Sequence, residues 1–177
     1  VFFTLGGADA NEHAVKIARQ AVRKPRGVII ARDRSYHGST HLAMALSGDS
    51  RTRAQVDPDA FGVSHVAPPY AYRCPFGSRE PAQCGVLAAA AVGERIEHFG
   101  ADRVAAVIME PNAGSNGIVA PDSFWPELTR VTRARDVLAQ RCSVPVIVID
   151  TPRGHGRSEL LRHVFDGDPP VPGAVEV

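Results

Sequence analysis

The sequence predicts an α/β domain in which helices cover both faces of a mostly parallel sheet. Short apolar runs that read as strands alternate along the chain with segments of helical periodicity, which is typical of this fold class. Three of these runs are followed directly by small or acidic residues, at Gly6-Gly7-Ala8, Glu110 and Asp150. Ligands of α/β proteins bind at the carboxyl ends of the strands, so these positions are the candidate site.

The first elements are read from apolar spacing and from the glycines and prolines between them. Residues 1–5 form a short apolar run that stops at a glycine pair, which predicts a strand. Residues 8–22 carry apolar side chains at spacings of three and four, with acids early and bases late, which predicts a helix. A second strand is expected over residues 28–31 and a short helix over residues 39–46.

The middle and end of the chain are read in the same way. Residues 48–80 hold four prolines and scattered aromatics without a period, so we expect a long loop. A helix is predicted over Pro81–Phe99, because proline suits the first turn and Gly100 suits the position after the last. Val104–Met109 should be a buried strand, followed by a Gly-rich loop and a helix over residues 121–138. A last strand is expected over residues 144–149, before an irregular, Pro-rich tail over residues 151–177.

Composition excludes several classes of protein. The chain has 177 residues, 44% hydrophobic and 22% charged, as in an ordinary globular domain. Its net charge of +1 predicts neither a nucleic-acid partner nor a polybasic membrane anchor, and no apolar stretch approaches the length of a membrane span. Because the chain starts at Val1, inside a predicted strand, we expect a piece of a longer protein.

The numbers and positions of the cysteines and lysines limit the reactions that this chain can carry out. The three cysteines are irregularly spaced and form no CxxC pair, so we expect no disulfide scaffold, no metal site and a reducing, cytoplasmic setting. Of the 20 basic residues only two are lysines, Lys16 and Lys24. Any mechanism that needs a lysine amine has just these two candidates in this sequence.

Two motifs precede predicted helices, and each has an ordinary interpretation beside a functional one. At Gly6-Gly7-Ala8, small residues let backbone N–H groups approach a phosphate and the helix dipole adds attraction, but a tight turn is the commoner reason for such residues. In Tyr36-His37-Gly38 the tyrosine could stack on a flat cofactor ring, or simply pack in a turn.

The two acids at the ends of predicted strands also have an ordinary interpretation beside a functional one. Burial of Glu110 or Asp150 is costly unless a positive or hydrogen-bonding group faces it, and a protonated ring nitrogen would be such a partner. A solvated acid at the end of a strand is the ordinary alternative.

Three blocks of this sequence, taken in order, resemble those of class III aminotransferases, which are pyridoxal 5′-phosphate (PLP) enzymes of fold type I. They are residues 1–19 (VFFTLGGADANEHAVKIAR), 34–40 (RSYHGST) and 105–117 (AAVIMEPNAGSNG). The resemblance is strongest over residues 1–138, and residues 47–49 (SGD) and 72–76 (YRCPF) are most similar to the taurine–pyruvate branch. It implies a partial PLP-binding large domain over residues 1–150.

The resemblance also implies roles for the glycine motif. Gly7 and Ala8 would cradle the PLP phosphate through their backbone N–H groups. Gly6 stands where the family usually has serine, and Leu5 stands where asparagine is common. A side-chain contact to the cofactor is therefore expected to be lost at this end of the site.

The other family blocks imply the ring contacts. Tyr36 would stack on the pyridine ring, with His37 beside it in the same block, and Glu110 would belong to the carboxylate network next to the cofactor. The family also needs an aspartate against the ring nitrogen, which keeps the ring an electron sink. Either Asp150 is that residue after an insertion, or the reading frame changes near Leu138; an Asp-Glu-Val block in another frame of the coding DNA would decide.

The family's Schiff-base lysine comes after the aspartate block, and Lys16 and Lys24 occupy positions that are not catalytic there. The resemblance thus implies no catalytic residue in this chain, which we expect to be an inactive fragment of a homodimeric transaminase. The parent would move an amino group from an amine or omega-amino acid, a taurine-like donor among them, to a keto acid such as pyruvate. The alternative is a non-catalytic product that at most binds PLP phosphate or pairs with an intact subunit.

Overall fold

The computed structural model describes residues 3–21, 27–139, 146–149 and 161–163. Helices and strands alternate along this length, joined by short 3-10 turns. The α-helices are Gly7–Ala21 (α1), His41–Leu46 (α2), Ser50–Arg53 (α3), Pro81–Phe99 (α4) and Phe124–Ala139 (α5). The strands are Val28–Arg32 (β1), Val63–Val66 (β2), Val104–Met109 (β3), Asn112–Ala113 (β4), Ile118–Val119 (β5), Val146–Ile149 (β6) and Leu161–His163 (β7).

Five of the strands form one sheet, in the order β2-β1-β3-β6-β7. Neighbouring strands run parallel from β2 to β6, and β7 pairs with β6 in the antiparallel direction. The mostly parallel sheet that the sequence predicts is therefore confirmed. Because β1 and β3 are adjacent and parallel, the residues that follow Arg32 and Met109 meet at the same edge of the sheet.

Helices bury both faces of the sheet. Every residue of β1 and of β3 is buried, and successive side chains point to opposite faces. On one face Ile30, Val107 and Met109 pack in a core with α4 and α5. On the other face Ile29 and Ile108 pack in a second core that includes α1 and α2. The rigid centre of the domain thus fixes where both strand ends lie.

The predicted and observed elements differ most at residues 1–5, at β2 and at β7. The strand predicted over residues 1–5 is wrong where it can be judged: residues 3–5 lie outside any strand, Phe3 and Leu5 are exposed, and α1 begins at Gly7. The loop predicted over residues 48–80 contains β2, whose pairing with β1 comes from tertiary contact rather than from a local period. The structure also has a short strand, β7, in the tail that was predicted to be irregular.

Cys74 and Cys84 form a disulfide between the loop before α4 and the first turn of that helix, with a Cα–Cα distance of 5.9 Å. The sequence did not predict this pair, because spacing in sequence does not show which thiols the fold brings together. We expect an unfolded, unreduced sample to give one titratable thiol of the three cysteines, and three after reduction. Reduction should lower the free energy of unfolding by about 2 to 3 kcal/mol. Three free thiols before reduction would contradict the pairing.

Candidate cofactor site

The N-terminus of α1 presents an open backbone cradle. The first helical hydrogen bond runs from the Ala10 N–H to the Gly6 carbonyl, at 3.0 Å, so the N–H groups just before Ala10 have no carbonyl partner within the helix. No heavy atom lies within 4 Å of the point where a Cβ would stand at Gly6 or Gly7. Free N–H groups at the positive end of a helix attract an anion, and here there is room for one.

The turn after β1 closes onto this cradle at Gly38. A Cβ at Gly38 would lie 2.6 Å from the Ala8 Cβ, and the φ angle of Gly38 is +125°, so only glycine fits. Asn11 of α1 donates from Nδ2 to the His37 carbonyl at 2.6 Å. Thr40 donates to the Glu12 carboxylate, also at 2.6 Å. The motif Gly6-Gly7-Ala8 and the motif Tyr36-His37-Gly38, 30 residues apart in the sequence, therefore form one structural unit.

Tyr36 leads into this turn and keeps its ring accessible. The residue is 48% exposed, and its hydroxyl lies 3.2 Å from the hydroxyl of Ser39. A half-exposed aromatic ring held by its neighbours offers a face on which a planar group can stack. The structure therefore places Tyr36 where the stacking role assigned by resemblance is geometrically feasible.

His37 lies in the interior instead. Its backbone N–H donates to the Ser47 hydroxyl at 2.8 Å, and its ring Nε2 is buried without a hydrogen-bond partner. Burial, together with the nearby charges of Arg32 and His65, lowers the pKa of His37 to about 3. The imidazole is thus neutral at physiological pH, and His37 holds the turn rather than offering its ring to a ligand from outside.

This buried imidazole predicts a pH-dependent stability. An unfolded chain takes up a proton near the ordinary histidine pKa of 6.5, whereas folded His37 does so only near pH 3. The free energy of unfolding should therefore fall as pH is lowered through this range, by up to about 1.4 kcal/mol per pH unit from this residue. Burial also lowers the pKa of His65, which adds to the same slope.

Urea unfolding between about pH 5 and 7 tests this slope. The range avoids Asp49, whose pKa is held at about 2 by hydrogen bonds from Arg51 and which matters only in stronger acid. His37→Gln removes one titrating ring from the interior and should give a shallower pH dependence than the wild type. His98→Gln on α4 controls for the loss of a histidine from an exposed position. Equal slopes for His37→Gln and the wild type would contradict the assignment.

An ion pair joins the ends of β1 and β3. The Arg32 Nη2 donates to the Glu110 Oε2 at 3.2 Å, and the two side chains are only 1% and 12% exposed. Burial raises the pKa of Glu110, while the charge of Arg32 and the backbone N–H of Tyr36 oppose that rise. Arg32 was not predicted as a site residue. The signal that could have found it is an arginine that closes an otherwise apolar, buried strand.

The Gly-rich loop after β3 completes the rim of the site. Asn116 donates from Nδ2 to the Arg34 carbonyl at 2.9 Å. Arg34 has a positive φ of 59°, and its guanidinium lies 4.8 Å from the centre of the Tyr70 ring. These contacts tie the loop to the strand-end turn. They were missed because they depend on which strands are adjacent.

The remaining predicted residues lie elsewhere. Lys16 is exposed on α1, about 14 Å along the axis from the start of the helix at Gly7. Asp150 and Lys24 lie outside the described residues. The described residues include no group of three or more His, Cys, Asp or Glu placed to hold a metal ion. None of the helices in the described ranges is both long and apolar enough to cross a membrane.

The residues that meet at this edge fit a phosphorylated, planar cofactor. The cradle has free N–H donors and open space at Gly6 and Gly7. Tyr36 offers an accessible ring beside it. Two nitrogens of Arg32, Nε and Nη1, are buried without hydrogen-bond partners, so this side chain has unused N–H donors near the site. Because Asp9 puts an acid in the first turn of α1, attraction of a phosphate depends on the backbone N–H groups.

Comparisons with known proteins identify the family of the chain. The profile of the family described as aminotransferase class-III matches residues 1–139. The chain is 35% identical over 143 residues to the putrescine–pyruvate aminotransferase of Pseudomonas aeruginosa, covering 78% of this chain and 31% of that protein. It is 32% identical over 143 residues to the hypotaurine/taurine–pyruvate aminotransferase of Paracoccus denitrificans, covering 78% and 30%.

Solved structures show the same relationship. The omega transaminase of Pseudomonas jessenii, solved in complex with PMP (pyridoxamine 5′-phosphate), superimposes with a TM-score of 0.70 at 28% sequence identity. The match covers 83% of this chain and 32% of that one. The chain therefore spans about a third of the length of the relatives it matches. This likeness confirms the predicted fold, part of the large domain of PLP-dependent transaminases of fold type I. The chain belongs to the class-III aminotransferase family, whose members are PLP-dependent transaminases.

Proposed function

We propose that this chain forms the phosphate- and ring-binding part of a PLP-dependent transaminase. The observation that carries the proposal is the contact of Gly38 with Ala8, which closes the Tyr36 turn onto the open N-terminus of α1. A phosphate and a planar ring joined in one molecule need both features side by side. A tight turn alone would explain Gly6 and Gly7 but not the accessible aromatic ring beside them.

Each residue has a separate task in this proposal. The backbone N–H groups of Gly7 and Ala8 hold the phosphate, and Tyr36 orients the ring by stacking. Glu110, kept near Arg32, contributes a negative charge at the edge of the ring site. Bound PLP supplies an electron sink that the side chains themselves cannot provide. Asp150 stays the candidate partner of the ring nitrogen.

The reaction proposed for the whole protein is transfer of an amino group from an amine or omega-amino acid to a keto acid such as pyruvate. Two relatives support this substrate class, since their names give putrescine and hypotaurine or taurine as donors and pyruvate as acceptor. A homodimer in the cytoplasm is part of the same proposal.

The chain by itself is proposed to bind the cofactor without turning over. Its sequence has two lysines. Lys16 is exposed and lies about 14 Å along the axis of α1 from the cradle. Lys24 occupies a position that is not catalytic in the family. A transaminase assay with putrescine or taurine and pyruvate should therefore give no alanine. Turnover by the purified chain would refute this part of the proposal.

Pyridoxamine 5′-phosphate (PMP) is the best probe of binding, because it has no aldehyde and cannot react with lysines at random. We expect saturable binding of PMP, followed by its fluorescence, and competition by inorganic phosphate. Tyr36→Ala should weaken PMP binding about two- to tenfold through lost stacking. Tyr72→Ala removes an exposed tyrosine from the disulfide-linked loop and should bind as the wild type does. A folded chain that binds no PMP would refute the function and favour the non-catalytic alternative in which it only pairs with an intact subunit.

A further inference from the structure

We propose that Asn116 is a positioning residue for Tyr36, and that it acts by holding the peptide unit between Arg34 and Ser35. This inference rests on the proposed function, because it assigns a task within the same site. Asn116 stands in the Gly-rich loop after β3, 82 residues along the chain from Arg34. Its task is to fix the backbone from which the Tyr36 ring extends, and it makes no contact of its own with the ring of the cofactor.

Asn116 lies at the tip of a small hairpin formed by β4 and β5. Ala113 pairs with Ile118 across this hairpin, and both residues are buried, at 0% and 1% exposure. A single 3-10 turn, Gly114–Asn116, joins the two strands. A short turn on a buried base leaves its backbone little freedom, so Asn116 is well placed to hold another part of the chain.

The side chain of Asn116 reaches the turn that follows β1. Its Nδ2 donates to the Arg34 carbonyl oxygen at 2.9 Å. That oxygen belongs to the peptide unit that joins Arg34 to Ser35, and Tyr36 is the next residue. Because a peptide unit is planar, fixing its oxygen fixes the plane and the direction in which the chain continues toward Tyr36.

The backbone of Arg34 has a conformation that depends on such contacts. Among the residues that the structure describes, Arg34 is the only one other than glycine with a positive φ, 59°. Residues with a Cβ rarely adopt this conformation, and it persists where contacts on several sides enforce it. The Arg34 N–H donates to the Gly48 carbonyl at 2.9 Å, and the guanidinium lies 4.8 Å from the centre of the Tyr70 ring. Asn116 supplies the contact on the carbonyl side.

The stability of the fold does not account for the contact between Asn116 and Arg34. This hydrogen bond is open to solvent, where water can replace the amide donor at little cost. The inner side of the turn is held independently, because buried Ser35 donates from its hydroxyl to the Arg32 carbonyl at 2.6 Å. Asn116 holds the outer side, where Tyr36 is exposed, so its contribution is expected in ring binding rather than in folding.

Two probes, PMP and inorganic phosphate, separate the ring half of the site from the phosphate half. Asn116→Ala should weaken PMP binding about three- to fivefold, while phosphate binding, followed by ³¹P NMR, stays within about 1.5-fold of the wild type. Ser115→Ala is the matched control. It removes the other acceptor of the Asn116 amide, at 3.3 Å, and leaves the bond to Arg34, so it should bind both probes as the wild type does.

A double variant shows whether the effect passes through Tyr36. In a chain that already carries Tyr36→Ala, the addition of Asn116→Ala should cost no further PMP affinity, since there is no ring left to position. A loss of PMP affinity in that background as large as in the wild type would overturn the inference, because Asn116 would then act on PMP by another route.

The outcomes distinguish the inference from the function on which it rests. A wild-type chain that binds no PMP refutes the proposed function, and this role with it. If the wild type binds PMP, then wild-type affinity in Asn116→Ala, or an equal loss of PMP and phosphate, overturns the positioning role while the function stands. Should Asn116→Ala not fold, Asn116→Ser is read in the same way, because its hydroxyl is one bond shorter and does not reach the Arg34 carbonyl.

Discussion

Gly48→Ala is expected to destabilise the domain by more than about 4 kcal/mol, a large share of the stability of a typical domain. A Cβ at Gly48 would lie 2.2 Å from the Arg32 carbonyl oxygen and 2.4 Å from the Asp33 Cα. Both are backbone atoms, so no flexible side chain can move aside. Gly48 also accepts from the Arg34 N–H at 2.9 Å, and its own N–H donates to the Ser35 carbonyl at 3.1 Å. The substitution therefore pushes apart the hydrogen-bonded turn that ends β1.

The free energies of unfolding of Gly48→Ala and Gly114→Ala, measured in urea, are to be compared. No heavy atom lies within 4 Å of a Cβ at Gly114, so that variant should stay within about 1 kcal/mol of the wild type. Similar unfolding midpoints for the two variants would show that the end of β1 is not packed as closely as described.

Gly38→Ala is expected to reduce PMP binding by more than about a hundredfold. A Cβ at this position meets the Ala8 Cβ at 2.6 Å and the Ala8 Cα at 2.9 Å, and the φ of +125° is one that alanine rarely adopts. The turn that carries Tyr36 would have to move away from α1. Because the phosphate and ring halves of the site then separate, binding should fall far more than it does when Tyr36 alone is truncated.

Two further variants separate the causes of this loss. Gly117 also has a positive φ, +62°, but no heavy atom within 4 Å of its Cβ position, so Gly117→Ala tests backbone strain without a clash. The double variant Gly38→Ala with Ala8→Gly removes the Cβ–Cβ contact and should recover part of the affinity. PMP binding by Gly38→Ala at wild-type strength would contradict the proposed junction.

Local signals predicted those parts of the fold that local forces determine. Helix α4 and strand β3 have the predicted bounds, because Pro81, Gly100 and a continuous apolar run are read directly from the sequence. Strand β2 was missed since it has only four residues and forms by pairing with β1. Its two central residues, Ser64 and His65, interrupt the apolar pattern.

The same division applies to the proposed site. The glycine cradle and Tyr36 could be predicted because each belongs to a short motif in the sequence. Arg32, Arg34 and Asn116 could not, because their contacts follow from the adjacency of β1 and β3. His37 was predicted as a cofactor-binding residue, and its buried ring shows that a motif identifies a turn without saying which side chain faces outwards.

The most direct test of the account is to map the backbone amides that respond when PMP is added to the chain. In ¹H–¹⁵N NMR spectra the largest shift changes are expected at Gly6, Gly7, Ala8 and Tyr36, and inorganic phosphate alone should reproduce those at α1. The polar cleft beside β2, lined by residues that include Arg53 and His65, provides the comparison. Saturable changes at that cleft, with none at the start of α1, would contradict the central claim that the α1 cradle and the Tyr36 turn form one cofactor site.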